Sequence, residues 1–115
     1  MKRSLYLFIK DILDNIELIK NSTKSFSKED FKLNRDIIDA TIRRLEIIGE
    51  AVKNIPIFFR KKYPEIPWRD IASLRDIVIH TYFKVDLDTL WNIIDKDIPI
   101  FQEQILKIKK DLEKN

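Results

Sequence analysis

The chain contains one glycine, Gly49, in 115 residues. Tight hairpin turns depend on Gly and Asn-Gly pairs, and all-β sandwiches and barrels need many such turns. One glycine leaves all-β sandwiches and barrels nearly ruled out. The same scarcity excludes a glycine-rich phosphate loop, because neither G-x-G-x-x-G nor G-x-x-x-x-G-K-[ST] can be written with one glycine. Cysteine is absent, which removes disulfides, thiolate zinc sites and cysteine nucleophiles. The only histidine is His80, so no two-histidine metal site or acid–base pair can form within one chain. No metal site and no cofactor are expected.

The length suits a single domain spanning residues 1–115. A chain of this size buries about 65% of its unfolded surface, and a dimer would extend the core. No stretch reaches the ~18 consecutive apolar residues of a membrane span. The apolar run Leu5-Tyr6-Leu7-Phe8-Ile9 near the N-terminus is cut short by Lys10 and Asp11, with no small-residue cleavage site after it. The chain therefore reads as soluble and cytoplasmic. Its 22 basic and 19 acidic residues give a net charge of +3, which permits nucleic-acid contact without arguing for it.

Apolar residues recur at helical spacing almost throughout. Leu5, Phe8, Ile9, Ile12, Ile16 and Ile19 predict a helix over 4–21. Ser27-Lys28-Glu29-Asp30 has the form of an N-cap with acid in the first turn. From Asn34 a second stripe runs through Ile37, Ile38, Ile42, Leu45, Ile48, Val52 and Ile55 to Pro56. Gly49 lies inside that stripe, where glycine costs ~1 kcal/mol relative to Ala, so a close helix–helix approach is expected there. Between Pro56 and Pro67 the pattern is irregular, and Phe58, Phe59 and Tyr63 are expected to pack as one short helical turn. A third long helix is predicted over 68–82, then a break near Lys84-Val85. Asp86 is placed to cap a last helix carrying Leu87, Leu90, Trp91, Ile94, Ile98, Phe101, Ile105, Ile108 and Leu112, kinked at Pro99. The fold class is all-α: an up-and-down bundle of four to five helices.

Candidate chemistry concentrates in Leu74-Arg75-Asp76-Ile77-Val78-Ile79-His80-Thr81-Tyr82. Asp76 and His80 stand i,i+4 on one helix face, where a carboxylate fixes the imidazole tautomer and raises its pKa. Arg75 lies about 140° around the axis from His80, so the two can line opposite sides of a groove. The same cluster would serve equally as a surface ion-pair set, and spacing alone leaves both readings open.

Arg75-x4-His80-x-Tyr82 resembles the R-x4-H-x-Y form of the HepT-like toxins of the HEPN superfamily. Ile47-Ile48-Gly49-Glu50-Ala51, Tyr63-Pro64-Glu65-Ile66-Pro67-Trp68, and Tyr82-Phe83-Lys84-Val85-Asp86 followed by Trp91 resemble that family in order and spacing. The family often has Asn after the Arg, and Asp76 stands here as a polar substitute able to orient the histidine. The resemblance implies a homodimeric, HEPN-like helical ribonuclease, the toxin of a toxin–antitoxin module. It implies a nucleotidyltransferase antitoxin of the MntA type that transfers AMP onto Tyr82. Metal-independent RNA cleavage by 2′-OH attack needs a base, an acid and positive charge on the phosphorane. Arg75 suits the charge and His80 the proton transfer. A symmetric dimer supplies the second histidine.

Arg60, Lys61, Lys62 and Arg69 interleave with Phe58, Phe59, Tyr63 and Trp68, a mixture that can bind RNA by phosphate contact and stacking. Helical core spacing explains the aromatics as well, and the charges then form a solvated face. Arg43 and Arg44 share that ambiguity, Trp91 reads as core, and Glu46 and Glu50 read as surface charges. Two other functions compete with the ribonuclease. One is a non-catalytic helical partner or substrate subunit of a nucleotidyltransferase, and the other a nucleotide-binding subunit of an adenylyl-transferring complex.

Overall fold

The structure is a computed structural model that describes residues 2–74, 76 and 86–114. Among these, every regular element is helical: α1 (Lys2–Thr23), α2 (Lys28–Leu33), α3 (Arg35–Lys53), α4 (Ile57–Arg60), α5 (Trp68–Ala72), α6 (Leu87–Asn92), a π-helical turn (Ile93–Asp97) and α7 (Ile98–Glu113). None of the described helices is long and apolar enough to cross a membrane.

Three long helices carry the core with the same three-four spacing. Ile9, Ile12, Ile16 and Ile19 of α1 are fully buried, as are Leu45, Ile48 and Val52 of α3 and Ile98, Ile105 and Ile108 of α7. Helix α1 packs against both α3 and α7. Each fully buried Ile or Leu side chain contributes about 1.5–3 kcal/mol, which outweighs the small helix-propensity cost of β-branching. Gly49 is buried on α3, which packs against α5 as well as α1. Arg44 crosses to α1, donating to the Leu18 carbonyl at 3.3 Å and to Ser22 Oγ at 2.9 Å. Lys20 and Glu17 of α1 both bond Gln102 of α7, at 2.8 and 3.2 Å.

The helix ends follow local chemistry. Ser27 Oγ accepts from the Asp30 amide, and Asn34 Oδ1 accepts from the Ile37 amide, both at 3.1 Å. Asp86 Oδ1 accepts from the Thr89 amide at 3.2 Å, while Thr89 Oγ1 donates to Asp86 Oδ2 at 2.6 Å. The expected helix over 4–21 is longer at both ends. The expected kink at Pro99 takes the form of a wide turn just before it. The Ile98 amide reaches back to the Ile93 carbonyl, one residue further than in an α-helix. Pro99 brings no amide and its ring would clash with the carbonyl four residues back, so the widened turn gives it room.

The long helix predicted from Trp68 is interrupted. Helix α5 ends at Ala72, and Ser73 leaves helical geometry with φ −90° and ψ 5°. Its Oγ donates to the Asp70 carbonyl at 3.0 Å, a local bond that competes with the helix. Leu74 and Asp76 are helical again. The remainder of that predicted helix and the predicted break near Lys84-Val85 lie outside the described residues.

Within the seam, Thr41 is fully buried and its Oγ1 has no hydrogen-bond partner among the described residues. Thr41→Val keeps the branched shape and removes the unpartnered hydroxyl. It should raise the unfolding free energy by about 1 kcal/mol, read as a higher urea midpoint with an unchanged slope.

Candidate active site

The stretch between Pro56 and Pro67 is irregular in backbone but fastened at its polar groups. Trp68 opens α5, and its indole N–H is shared between the Arg60 and Tyr63 carbonyls at 3.1 and 3.0 Å. Tyr63 donates its hydroxyl to Asp111 Oδ2 of α7 at 2.9 Å. Burial and that bond to a carboxylate push the Tyr63 phenol up to about 12. Gln104 of α7 donates to the Glu65 carbonyl at 3.4 Å. The Trp68 ring is buried and meets Phe101 edge-on at 6.4 Å. The start of α5 is thus fixed from both sides, and with it the chain entering Leu74.

The far side of the motif is fastened too. Asp88, in the first turn of α6, pairs with Lys28 at 3.2 Å and Lys32 at 3.0 Å on α2. Those two lysines hold its carboxyl below the usual carboxylate range. The bonds from Thr89 do the same for Asp86. Trp91 packs on the buried Phe31 ring, centroids 5.2 Å apart and planes tilted by 51°. The helices nearest to segment 75–85 in sequence, α5 before it and α6 after it, are thus both fastened to the rest of the fold.

Of the residues singled out for chemistry, Arg75, His80 and Tyr82 lie outside the described residues. Asp76 is exposed, and its amide donates to the Ser73 carbonyl at 3.0 Å. Close to where the motif begins, Pro67, Asp70, Ile71 and Leu74 face Ile98 and Phe101 across a groove of about 410 Å³. Two acidic rim residues, Asp70 and Asp97, also line it.

The four basic residues considered for RNA divide in two. Lys61, Lys62 and Arg69 are exposed. Arg60 is engaged within the fold: its Nε donates to the Ile55 carbonyl at 2.9 Å and Nη2 to the Lys53 carbonyl at 3.3 Å. A cation is favoured at this end of α3, where helix carbonyls are left over. Nothing short of three-dimensional placement separates Arg60 from its neighbours, since all four look alike in sequence. The aromatics divide as well. Phe59 and Trp68 are buried, and Tyr63 is half-buried. Phe58, expected to pack with them, is 57% exposed. A four-residue helix has room for one inward position, and Phe59 takes it. Glu50 pairs with Lys53 at 3.6 Å. Among the described residues no three His, Asp or Glu side chains gather as a metal site.

Comparison with known proteins places these features in a lineage. Residues 12–108 match the family described as HepT-like, Ribonuclease HepT-like. The chain is 48% identical over 115 residues to a Methanocaldococcus jannaschii protein named "Gamma-glutamylcyclotransferase and putative RNase MJ0434". That match covers 100% of this chain but 52% of the relative, so the chain spans about half of that protein. It is 46% identical over 110 residues to "Probable ribonuclease HepT" of Thermococcus cleftensis, covering 96% of this chain and 100% of that one. It is also 46% identical over 112 residues to "Putative RNase MJ0125" of M. jannaschii, covering 97% of each. No solved structure matches the chain significantly.

The Tyr63–Asp111 bond has a pH signature. The folded pKa lies above the unfolded value of 10.0, so the stabilisation is complete below pH 10 and is lost as pH rises towards about 12. Tyr63→Phe should lower stability at neutral pH by about 1–2 kcal/mol. The gap between wild type and variant should close between pH 10 and about 12. Parallel urea titrations across that range check this, and a gap independent of pH would place the stabilisation elsewhere.

Proposed function

The chain belongs to the HepT-like ribonuclease family, and from that premise we propose that it is a metal-independent endoribonuclease. In this reading it is the toxin of a toxin–antitoxin module and acts as a single-domain homodimer. The observation that carries the reading is Arg75-x4-His80-x-Tyr82, set within a family of RNA-cleaving enzymes. The anchoring on both sides of segment 75–85 supports it, because chemistry between fixed groups needs a rigid frame.

The RNA supplies its own nucleophile. His80 of one protomer takes the proton from the 2′-OH, and the 2′-oxygen forms a bond to the adjacent phosphorus. The P–O5′ bond breaks, and His80 of the second protomer gives its proton to the departing 5′-oxygen. The products are a 2′,3′-cyclic phosphate and a 5′-hydroxyl. Arg75 holds the phosphorane oxygens with its planar guanidinium. Asp76 orients the imidazole. Neither histidine could perform both proton transfers at once, and the two-fold axis resolves that.

Control falls on Tyr82. A nucleotidyltransferase antitoxin joins the tyrosine oxygen to the α-phosphorus of a nucleoside triphosphate, and pyrophosphate leaves. The attached AMP brings a phosphate to Arg75 and places an adenosine across the RNA path, blocking the site by charge and by bulk.

Cleavage of RNA should persist in EDTA and leave cyclic-phosphate ends. His80→Ala and Arg75→Ala should each reduce the rate by ~10²–10⁴-fold. A requirement for Mg²⁺, or full activity in His80→Ala, would reject the mechanism. After co-expression with the cognate nucleotidyltransferase, intact mass should show added AMP on wild type and none on Tyr82→Phe. Equal mass shifts on both proteins would reject Tyr82 as the control point.

A further inference from the structure

The exposed face of α4 combines features that nothing in the fold uses. Ile57 is 66% exposed and Phe58 57% exposed, side by side on a helix whose inward position is held by Phe59. Large apolar side chains exposed together, rather than scattered, mark a contact surface. Lys61 and Lys62 follow Phe58 by three and four residues, and the backbone continues helically through Lys61 (φ −63°, ψ −20°), so both fall on its side of the turn. The Lys62 ammonium lies 5.8 Å from the Phe59 ring centre, which steadies the side chain while leaving it exposed.

Charge is focused at the same place. Residues 57–69 carry Arg60, Lys61, Lys62 and Arg69 against Glu65 alone. This stretch carries a net charge of +3, equal to that of the whole chain, because the charges of the residues before it and after it cancel. Trp68 ties α5 to the Arg60 and Tyr63 carbonyls, so Arg69 belongs to the same fastened unit. A basic surface attracts an anionic chain, and an exposed aromatic face among lysines matches a flat base between phosphates.

We propose that α4 is a docking platform for single-stranded RNA, in which a base stacks on Phe58 while Lys61 and Lys62 hold the flanking phosphates. The platform deepens the ribonuclease reading and rests on it for the nature of the substrate. It contributes binding, not chemistry. Stacking on a flat ring tolerates any base, so the platform selects single strands over duplexes without reading sequence.

The test is binding of a labelled 2′-O-methyl pyrimidine oligonucleotide, followed by fluorescence anisotropy. Methylation removes the attacking hydroxyl, so binding is read without cleavage. Phe58→Ala should weaken binding by about 5- to 150-fold. Phe58→Trp should bind at least as tightly as wild type. Lys61→Gln together with Lys62→Gln should lower the salt dependence by about 1.4 in the log–log slope, since each single-strand phosphate contact contributes about 0.7. The substituted side chains are exposed, and thermal melting by circular dichroism confirms that the variants fold. Unchanged affinity in Phe58→Ala would overturn the platform even where cleavage by His80 is intact. Phe58-dependent binding in a protein that cleaves nothing would uphold the platform and reject the nuclease. A Phe58→Ala change that alters self-association by sedimentation but not RNA affinity would make α4 a protein contact and overturn the proposal.

Discussion

The seam of Ile9, Ile12, Ile16 and Ile19 along α1 is the contact against which the rest of the chain is assembled. It meets α3 on one side and α7 on the other, and all three helices repeat the same spacing of buried residues. Four of the remaining helical pieces are six residues or shorter. Isolated helices of that length do not persist in water, because nucleation costs more than a few bonds return. They exist here because the long helices offer a surface and because individual polar groups pin them. Ser27 and Asp86 cap α2 and α6, Asp88 joins those two helices, and Trp68 ties α5 to the turn after α4.

This division of labour bears on the site. Hydrophobic seams fix where helices lie but tolerate small slips, since apolar contacts are non-directional. Directional bonds remove the slip. They are found at the two approaches to segment 75–85: the shared indole N–H and the Ser73 hydroxyl on one side, the Asp86 cap and the Lys28 and Lys32 pairs on the other. In the proposed mechanism, where an arginine and a histidine must be held against one phosphate, such bonds matter more there than elsewhere.

The long stripes and the caps at Ser27 and Asp86 were legible because they are local: a 3.6-residue period and a side chain within three residues of its amide. The misreadings share the opposite character. Ser73 breaks a helix through a bond to Asp70 that competes with a good apolar pattern. Arg60 folds back on the end of α3 and so departs from Lys61 and Lys62, its sequence equals. Phe58 and Phe59 are identical in chemistry, and only the orientation of α4 against its neighbours decides that one is buried. Of the proposed site, Arg75, His80 and Tyr82 were legible only through the family resemblance and lie outside the described residues, while Asp76 is an exposed side chain. The wide turn did leave a trace. Leu90, Ile94 and Ile98 fall four apart twice in succession, with Ile93 buried beside them, before the three-four alternation resumes at Phe101.

That wide turn ties two features of the sequence that would otherwise vary separately. A π turn is an α-helix with one residue inserted, and it leaves the faces before and after it in phase. A chain lacking the extra residue but keeping Pro99 would press the proline ring into the preceding turn. A chain lacking one residue anywhere within α7 would instead rotate everything beyond it by about 100° and turn its isoleucines from the core to solvent. Removing one residue between Ile93 and Asp97 is therefore tolerated only when Pro99 is replaced as well.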